Sequence, residues 1–430
     1  MGRFAHFGDC HLGAWRDPKL KELNLSAFVK AVDCCLAEKV DFIIISGDLF
    51  DTTLPDLAIV QKTVEKIREA KDKGIGVYLT YGSHDFAPNS TSMIDVLNTA
   101  GLFKKAVEAE VADEKIRLKF LVDPRTGAKI AGLSGRRLGL EKRYFEMLDS
   151  QSLESEEGFK IFVFHNAVVE LRTPTATYPE GVPISNFPKG FDYYAGGHVH
   201  ETLKHQVPGY GLVTFPGCLF GASFTDLELT AKGEKRGIFI VDFDEKVRQV
   251  RFIEVKVSDV FLEEVNANKK TANQIDDALS KIAAEADIKG KIALLKVEGE
   301  LLSGKPADVN FTKIRQTMLD RGALVANINH YSLSTEEKQN IGQIVGKSRQ
   351  EIEAKVFFDS VNSFKMDPTI DGALKVRLER ALCAEGGTKL ATGLLNSLKL
   401  EKQEGESKRD FEERVIKNAI HLLGMEDINS

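Results

Sequence analysis

From the N-terminus to about residue 255, short apolar runs alternate with amphipathic stretches, which is the signature of a layered α/β architecture. The apolar runs at 4–7, 42–46, 77–81, 161–164, 193–195, 212–215, 238–243 and 250–255 are rich in Val, Ile, Phe and Tyr, and the pattern predicts a strand at each. Between them Leu25, Phe28, Val32 and Leu36 recur at helical spacing, as do Val60, Val64 and Ile67, so two helices are expected to cover a buried sheet. The rhythm changes beyond residue 257. A helix around Ile275, Leu279 and Ile282, a strand at 292–297, a helix around Ile314 and Met318, and a strand at 324–328 predict a smaller α/β unit over 258–335.

Residues 336–430 are dominated by helical spacing and charge. Ile352, Val356 and Phe357 share a face, as do Leu394, Leu395 and Leu398, and then Phe411, Val415, Ala419 and Leu422. Such stripes suit either an ordinary helical core or a partner surface. The isolation of the last two charged helices, separated by Gly405 and Glu406, keeps the partner surface open. The segment from Gly342 to Ser348, with Gly346, Lys347 and Ser348 at its end, imitates a phosphate-binding loop. It has three residues between its glycines where four are needed, and no strand is expected before it.

Composition narrows the class. At 430 residues and 43% hydrophobic, the chain can build more than one core. No run approaches the roughly 18 apolar residues of a membrane span. The segment around Arg3, Phe4 and Ala5 reads as a strand and not as a secretory signal, which predicts a cytoplasmic protein. Five cysteines, two of them adjacent at Cys34 and Cys35, argue for reduced thiols. A net charge of −6 is no general nucleic-acid footprint, so any such site must be local. Arg136, Arg137, Lys142 and Arg143 form one candidate, and Arg16, Lys19 and Lys21 a weaker one.

The chemistry is concentrated at strand ends. Asp9 and His11 follow the first strand, and Asp48 and Asp51 follow the second. Ser83, His84 and Asp85 follow the third, His165 ends the fourth, and His198 and His200 end the fifth. Open α/β layers place their sites just beyond the carboxyl ends of strands. Carboxylate oxygens mixed with imidazole nitrogens suit Mn²⁺, Fe²⁺ or Zn²⁺. Asp9 and His11, two apart, are expected to point the same way if the chain stays extended. His6, inside the first strand, reads as a buried hydrogen-bonded residue, and His205, His330 and His421 as surface or packing residues.

This ordered set resembles the calcineurin-like metallophosphoesterases. The stretches from Asp9 to Gly13, Gly47 to Asp51, Tyr193 to His200 and Pro216 to Leu219 are more closely similar to the meiotic recombination eleven family of double-strand-break repair nucleases, SbcD-like in bacteria. The resemblance implies an α-β-β-α sandwich nuclease domain over 1–257, a capping domain over 258–335 and a helical tail over 336–430 that binds a partner ATPase. It implies two divalent metal ions, Mn²⁺ by analogy. Asp9, His11, Asp48 and His200 would hold one, and Asp48, Ser83, His165 and His198 the other. The ions would clamp the attacking and leaving oxygens of an in-line displacement. By the same resemblance His84 is the non-ligand catalytic histidine, and Asp85 is expected to orient it.

Ser83 departs from the family's asparagine and is expected to weaken the second metal. The implied substrates are DNA ends and single-stranded DNA. The implied partners are an SMC-like coiled-coil ATPase of the SbcC type and a second copy of the chain, with the helices at 57–67 or 93–102 as dimer candidates. Two other functions compete: a stand-alone phosphoesterase acting on nucleotides or phosphoproteins, and a scaffold that tethers DNA ends with weak catalysis because of Ser83.

Overall fold

The computed structural model describes residues 1–335 apart from 87–90, 113, 136–140 and 172–180, and beyond them 387, 390, 393, 394, 397, 400, 403 and 408–423. Two compact units are present, Met1–Glu336 and Glu337–Ser430. The first opens with β1 (Gly2–Phe7), α1 (Pro18–Glu38), β2 (Phe42–Ile45), α2 (Leu57–Asp72), β3 (Gly76–Leu79), α3 (Met93–Thr99) and β4 (Lys104–Lys105). A hairpin, β5 (Ala109–Ala112) and β6 (Lys115–Leu118), leads to β7 (Leu121–Val122), β8 (Lys129–Leu133), α4 (Glu141–Glu146), α5 (Ser150–Glu154) and β9 (Lys160–His165). Next come β10 (Tyr193–Gly197), β11 (Leu203–Gln206), β12 (Leu212–Phe215), α6 (Phe224–Ala231), β13 (Gly237–Phe243) and β14 (Val247–Glu254).

The strands form two sheets, each six-stranded, in the orders β14-β13-β1-β2-β3-β4 and β11-β12-β10-β9-β8-β7. Strands covered on both faces read as unbroken apolar runs, and β2, Phe-Ile-Ile-Ile, is the plainest case. Phe42 and Ile44 join Ile130, Ile161 and Tyr193 in the core between the sheets. Ile43 and Ile45 join Phe28, Val32 and Ile67 under the helices. Phe162, Phe164 and Tyr194 pack outward from the second sheet against Phe145 and Phe187. The result is the α-β-β-α sandwich. α1 forms where Asp17 accepts from the amides of Lys19 and Leu20 and Pro18 opens the first turn. Burying its Phe28 contributes about 1.5–3 kcal/mol.

His6 lies between the sheets, fully buried, with Nδ1 3.0 Å from the Tyr193 hydroxyl and Nε2 3.0 Å from Ser46 Oγ. Burial pushes its pKa down to about 3. The unfolded chain therefore takes up a proton below pH ~6.5 that the folded chain refuses until pH ~3, and stability falls as pH falls through that window. Between pH 7 and 5 this single group is expected to cost about 2 kcal/mol. Urea unfolding of His6→Gln should lose correspondingly less over the same interval; an identical pH slope in both proteins would refute the assignment.

The remaining elements of the first unit are β15 (Val260–Asn266), α7 (Ala272–Glu285), β16 (Ile292–Leu301), α8 (Phe311–Asp320), β17 (Val325–Asn329) and β18 (Leu333–Thr335). β15, β16 and β17 are parallel, with β18 beside the end of β16. One face of this sheet packs Leu295 and Val297 against Ile275, Leu279, Ile314 and Met318. Its other face sends Ile292, Leu294 and Val325 into the core that holds Leu219, Phe220 and Leu227. This shared core is why residues 258–335 stay in one unit with the sandwich.

In the second unit α9 (Lys408–Leu422) carries Phe411, Val415 and Ala419 half-buried and Leu422 exposed. The predicted stripes around Ile352, Val356 and Phe357 and at Leu395 and Leu398, and the loop-like segment 342–348, lie outside the described residues. Among the described residues, no helix is long and apolar enough to cross a membrane.

Candidate metal centre

The site is built where β1, β2, β3, β9 and β10 end. Asp9 and His11 do not lie in extended chain as their spacing suggests. Their φ angles are +47° and +42°, and those of Asp48 and His198 are +47° and +80°. Side chains other than glycine rarely adopt this left-handed region, so such strain persists only where the surroundings over-determine it. Here the turns hold one another. The His11 amide donates to the Asp48 carbonyl at 2.8 Å, that of Leu12 to the Leu49 carbonyl at 3.0 Å, and that of His198 to Asp9 Oδ1 at 2.9 Å. Gly82 sits so close that any Cβ there would strike the Asp48 carboxylate.

All the predicted histidine and aspartate positions converge. His11 Nδ1 is 3.1 Å from Asp51 Oδ1, and His200 Nδ1 is 2.9 Å from Asp226 Oδ1. Each carboxylate accepts the Nδ1 proton, so that in the neutral ring, the form a metal ligand takes, Nε2 carries the lone pair. Those two atoms face each other at 3.2 Å. His165 repeats the logic, its Nδ1 donating to the Ser46 carbonyl at 2.8 Å. Its buried Nε2 lies 3.1 Å from Asp48 Oδ2, yet is not aligned for a hydrogen bond and has no other partner. Three imidazole nitrogens crowded beside the buried Asp48 carboxylate are held together without a metal only by extra protons, and once those protons leave, their lone pairs suit a cation.

One ligand atom from each of Asp9, His11 and His200 lies within 4.8 Å of the others, and the same holds for Asp9, Asp48 and His165. The His198 ring centroid is 5.4 Å from that of His165. Burial and the neighbouring His165 push the His198 pKa down to about 3, which keeps its imidazole neutral. Burial works against the charge on Asp48, but His165, His11 and His84 around it hold its pKa well below the usual carboxylate range. Ser83 Oγ lies 3.4 Å from Asp48 Oδ2, within the second group's reach.

Residues 2–202 match the family model of the calcineurin-like phosphoesterases. The chain carries a calcineurin-like phosphoesterase domain. Among its similar relatives is the DNA double-strand break repair protein Mre11 of Methanopyrus kandleri, 26% identical over 269 residues that cover 60% of this chain and 57% of that protein. The protein of the same name in Methanococcus maripaludis is 24% identical over 291 residues, covering 66% and 75%. A solved dimetal phosphatase from Danio rerio is 12% identical, with 59% of this chain and 99% of that one aligned at a TM-score of 0.37.

Within the phosphoesterase domain, His84 differs from the other imidazoles. Its side chain is 44% exposed, and its Nδ1 lies 2.8 Å from the Asp51 carbonyl oxygen, so its Nε2 is not tied to a carboxylate. Its ring stands perpendicular to that of His11, with the centroids 4.8 Å apart. Asp51, and not Asp85, orients it. Asp85 is buried and accepts from the amides of Leu49 and Phe50 at 3.1 Å and of Gly82 at 3.3 Å. Its carboxylate points at backbone because the turn carrying Asp48 leaves two buried donors, and its own loop a third, to satisfy.

The sequence reading misses Asp226. It is the third residue of α6 in a capping box with Ser223, and a Ser-x-x-Asp pattern before an apolar helix was the available signal. Arg236 braces the same element, donating to the carbonyl oxygens of His200 and Asp226 at 2.5 and 2.6 Å. Two residues further along α6, Glu228 meets Lys296 of β16 at 3.2 Å, so this helix joins His200 to the third sheet. Asp226→Asn is expected to weaken Mn²⁺ binding about 10- to 100-fold by releasing the His200 tautomer. Calorimetric titration with Mn²⁺ checks this, and an unchanged isotherm would remove Asp226 from the site.

Proposed function

We propose that this protein is a two-metal, Mn²⁺-dependent DNA exonuclease and endonuclease subunit that acts in double-strand-break repair. The observation that carries the metal assignment is the convergence of the His11 and His200 Nε2 atoms, 3.2 Å apart, with the His165 Nε2 on the Asp48 carboxylate. The similarity to Mre11 repair proteins supports the DNA substrate. Asp9, His11, Asp48 and His200 would hold one ion, and Asp48, His165, His198 and Ser83 the other. When bound, such ions stabilise charge on the attacking and leaving oxygens of a phosphodiester. The chain's own residues do the rest. Asp51 and Asp226 fix the imidazoles, Asp85 fixes the Asp48 turn, and His84, at the open side, donates a hydrogen bond or proton to the phosphoryl or departing oxygen.

In this reading residues 1–257 are the nuclease, 258–335 a cap that directs DNA, and 336–430 a tail that docks on an SMC-like coiled-coil ATPase of the SbcC type. The protein works in the cytoplasm as a homodimer. The test is Mn²⁺-dependent degradation of labelled single- and double-stranded DNA, run beside a cyclic nucleotide and a phosphopeptide. Preferred turnover of either small substrate would overturn the nuclease assignment. Ser83 offers a shorter, poorer ligand than an amide oxygen, so Ser83→Asn is expected to tighten the weaker Mn²⁺ site by about tenfold. Equal affinities in a manganese titration would count against Ser83 as a ligand.

A further inference from the structure

Far along the chain from the metal centre, the end of β17 carries three aromatic rings in nearly parallel planes. Phe311, the first residue of α8, stacks on His330 with centroids 4.1 Å apart and planes 13° apart. The plane of Tyr331 is 8° from that of His330, at 6.2 Å. Tyr331 is 97% exposed. A lone exposed aromatic is ordinary. The turn that presents this one is fixed: the Tyr331 amide donates to Asn329 Oδ1 at 3.2 Å, and the Leu333 amide closes on the His330 carbonyl at 3.1 Å.

The same end of the sheet is basic. The Gly299 amide donates to the Ser332 carbonyl, the Glu300 amide to Asn268 Oδ1, and the Leu302 amide to the Lys270 carbonyl, while Thr335 Oγ1 donates to the Gly304 carbonyl. These bonds set the turns bearing Lys269, Lys270 and Lys305 beside the aromatic turn, and Lys313 lies in the first turn of α8. All four lysines are exposed, and among the described residues none is in an ion pair. Nearby carboxylates are already engaged, Asp308 by the Lys305 amide, Asp276 by the Asn310 amide and Glu298 by Lys296. Amide bonds leave Asp308 and Asp276 anionic, so with Glu300 three of these carboxylates stand without a cation against the four lysines among the described residues.

We propose that this edge is a second nucleic-acid site, a stacking platform for an unpaired base of single-stranded DNA, with Tyr331 as the contact ring and the lysines on the flanking phosphates. Parallel, preorganised ring faces beside unpaired ammonium groups are the composition that single-strand binding uses. A duplex keeps its base faces stacked on one another, so the platform discriminates for unpaired strands. The proposal rests on the DNA-nuclease reading for its choice of polyanion, and it supplies what the −6 net charge leaves missing, a local strand-binding surface.

The test is fluorescence anisotropy of a labelled oligothymidine with the full-length protein in EDTA, where cleavage is off. Tyr331→Ala is expected to raise Kd about 5- to 150-fold. Tyr331→Trp should restore binding, and blunt duplex affinity should not change. Lys269→Gln with Lys270→Gln should flatten the salt dependence. Mn²⁺-dependent hydrolysis of bis(p-nitrophenyl) phosphate should be the same in every variant. Tight binding by the unmodified protein that survives Tyr331→Ala overturns the platform and leaves the nuclease reading standing. No single-strand binding by an unmodified protein that hydrolyses the small diester overturns both.

Discussion

His84→Gln is expected to lower hydrolysis of single-stranded DNA by about 10²- to 10⁴-fold while Mn²⁺ affinity stays unchanged. The reason is in the ring's two ends. Nδ1 donates to the Asp51 carbonyl at 2.8 Å, so Nε2 is the atom left for chemistry, and it has a proton to give only in the imidazolium form, on a side chain that is 44% exposed beside His11. Glutamine can keep the bond to Asp51 but cannot transfer a proton near neutral pH. The loss should fall equally on kcat and kcat/KM, because the interaction belongs to the transition state. One geometric fact opposes this reading: ligand atoms of His11, Asp48 and His84 also lie within 4.8 Å of one another. Calorimetry run with the kinetics decides. A His84→Gln protein that loses an equivalent of Mn²⁺ would make His84 a ligand and not the acid.

The same residue shows how far a sequence carries. Its place after the apolar run of β3, and those of Asp9, Asp48, His165, His198 and His200 after theirs, could be read because parallel strands buried on both faces leave no other place for charge. The conformation of those turns could not. The D-x-H spacing suggests extended chain, whereas Asp9 and His11 take positive φ because His198 and Asp48 bind them, and Leu49 binds the following Leu12, from elsewhere in the chain. Long-range partners were equally hidden. Asp226 supports His200 from 26 positions away.

Periodicity shows that a face is buried but not what buries it. Ile292, Leu294 and Val325 on one face of the third sheet, and Leu295 and Val297 on the other, read alike, yet the first set completes the core of the sandwich. β15 escaped notice because an edge strand carrying Glu263 and Glu264 has no clean alternation to show.

The largest expected effect belongs to Asp48. Its Oδ1 accepts the His84 amide at 2.8 Å, and its Oδ2 lies 3.1 Å from His165 Nε2, 3.4 Å from Ser83 Oγ and 3.6 Å from His11 Nε2. Through Oδ2 it reaches both the His11 side and the His165 side. Asp48→Asn removes the carboxylate charge and puts either a carbonyl or an amide N–H at Oδ2. It also removes an anion that would help His11 and His165 hold a cation. Mn²⁺ affinity is expected to fall by at least about 100-fold at both sites, and DNA hydrolysis below what His84→Gln retains. Circular dichroism would confirm that the fold persists, and calorimetry would count the ions. If Asp48→Asn keeps one tight equivalent, Asp48 serves a single ion. Asp9, which falls within 4.8 Å of both ligand groups, would then be the shared carboxylate.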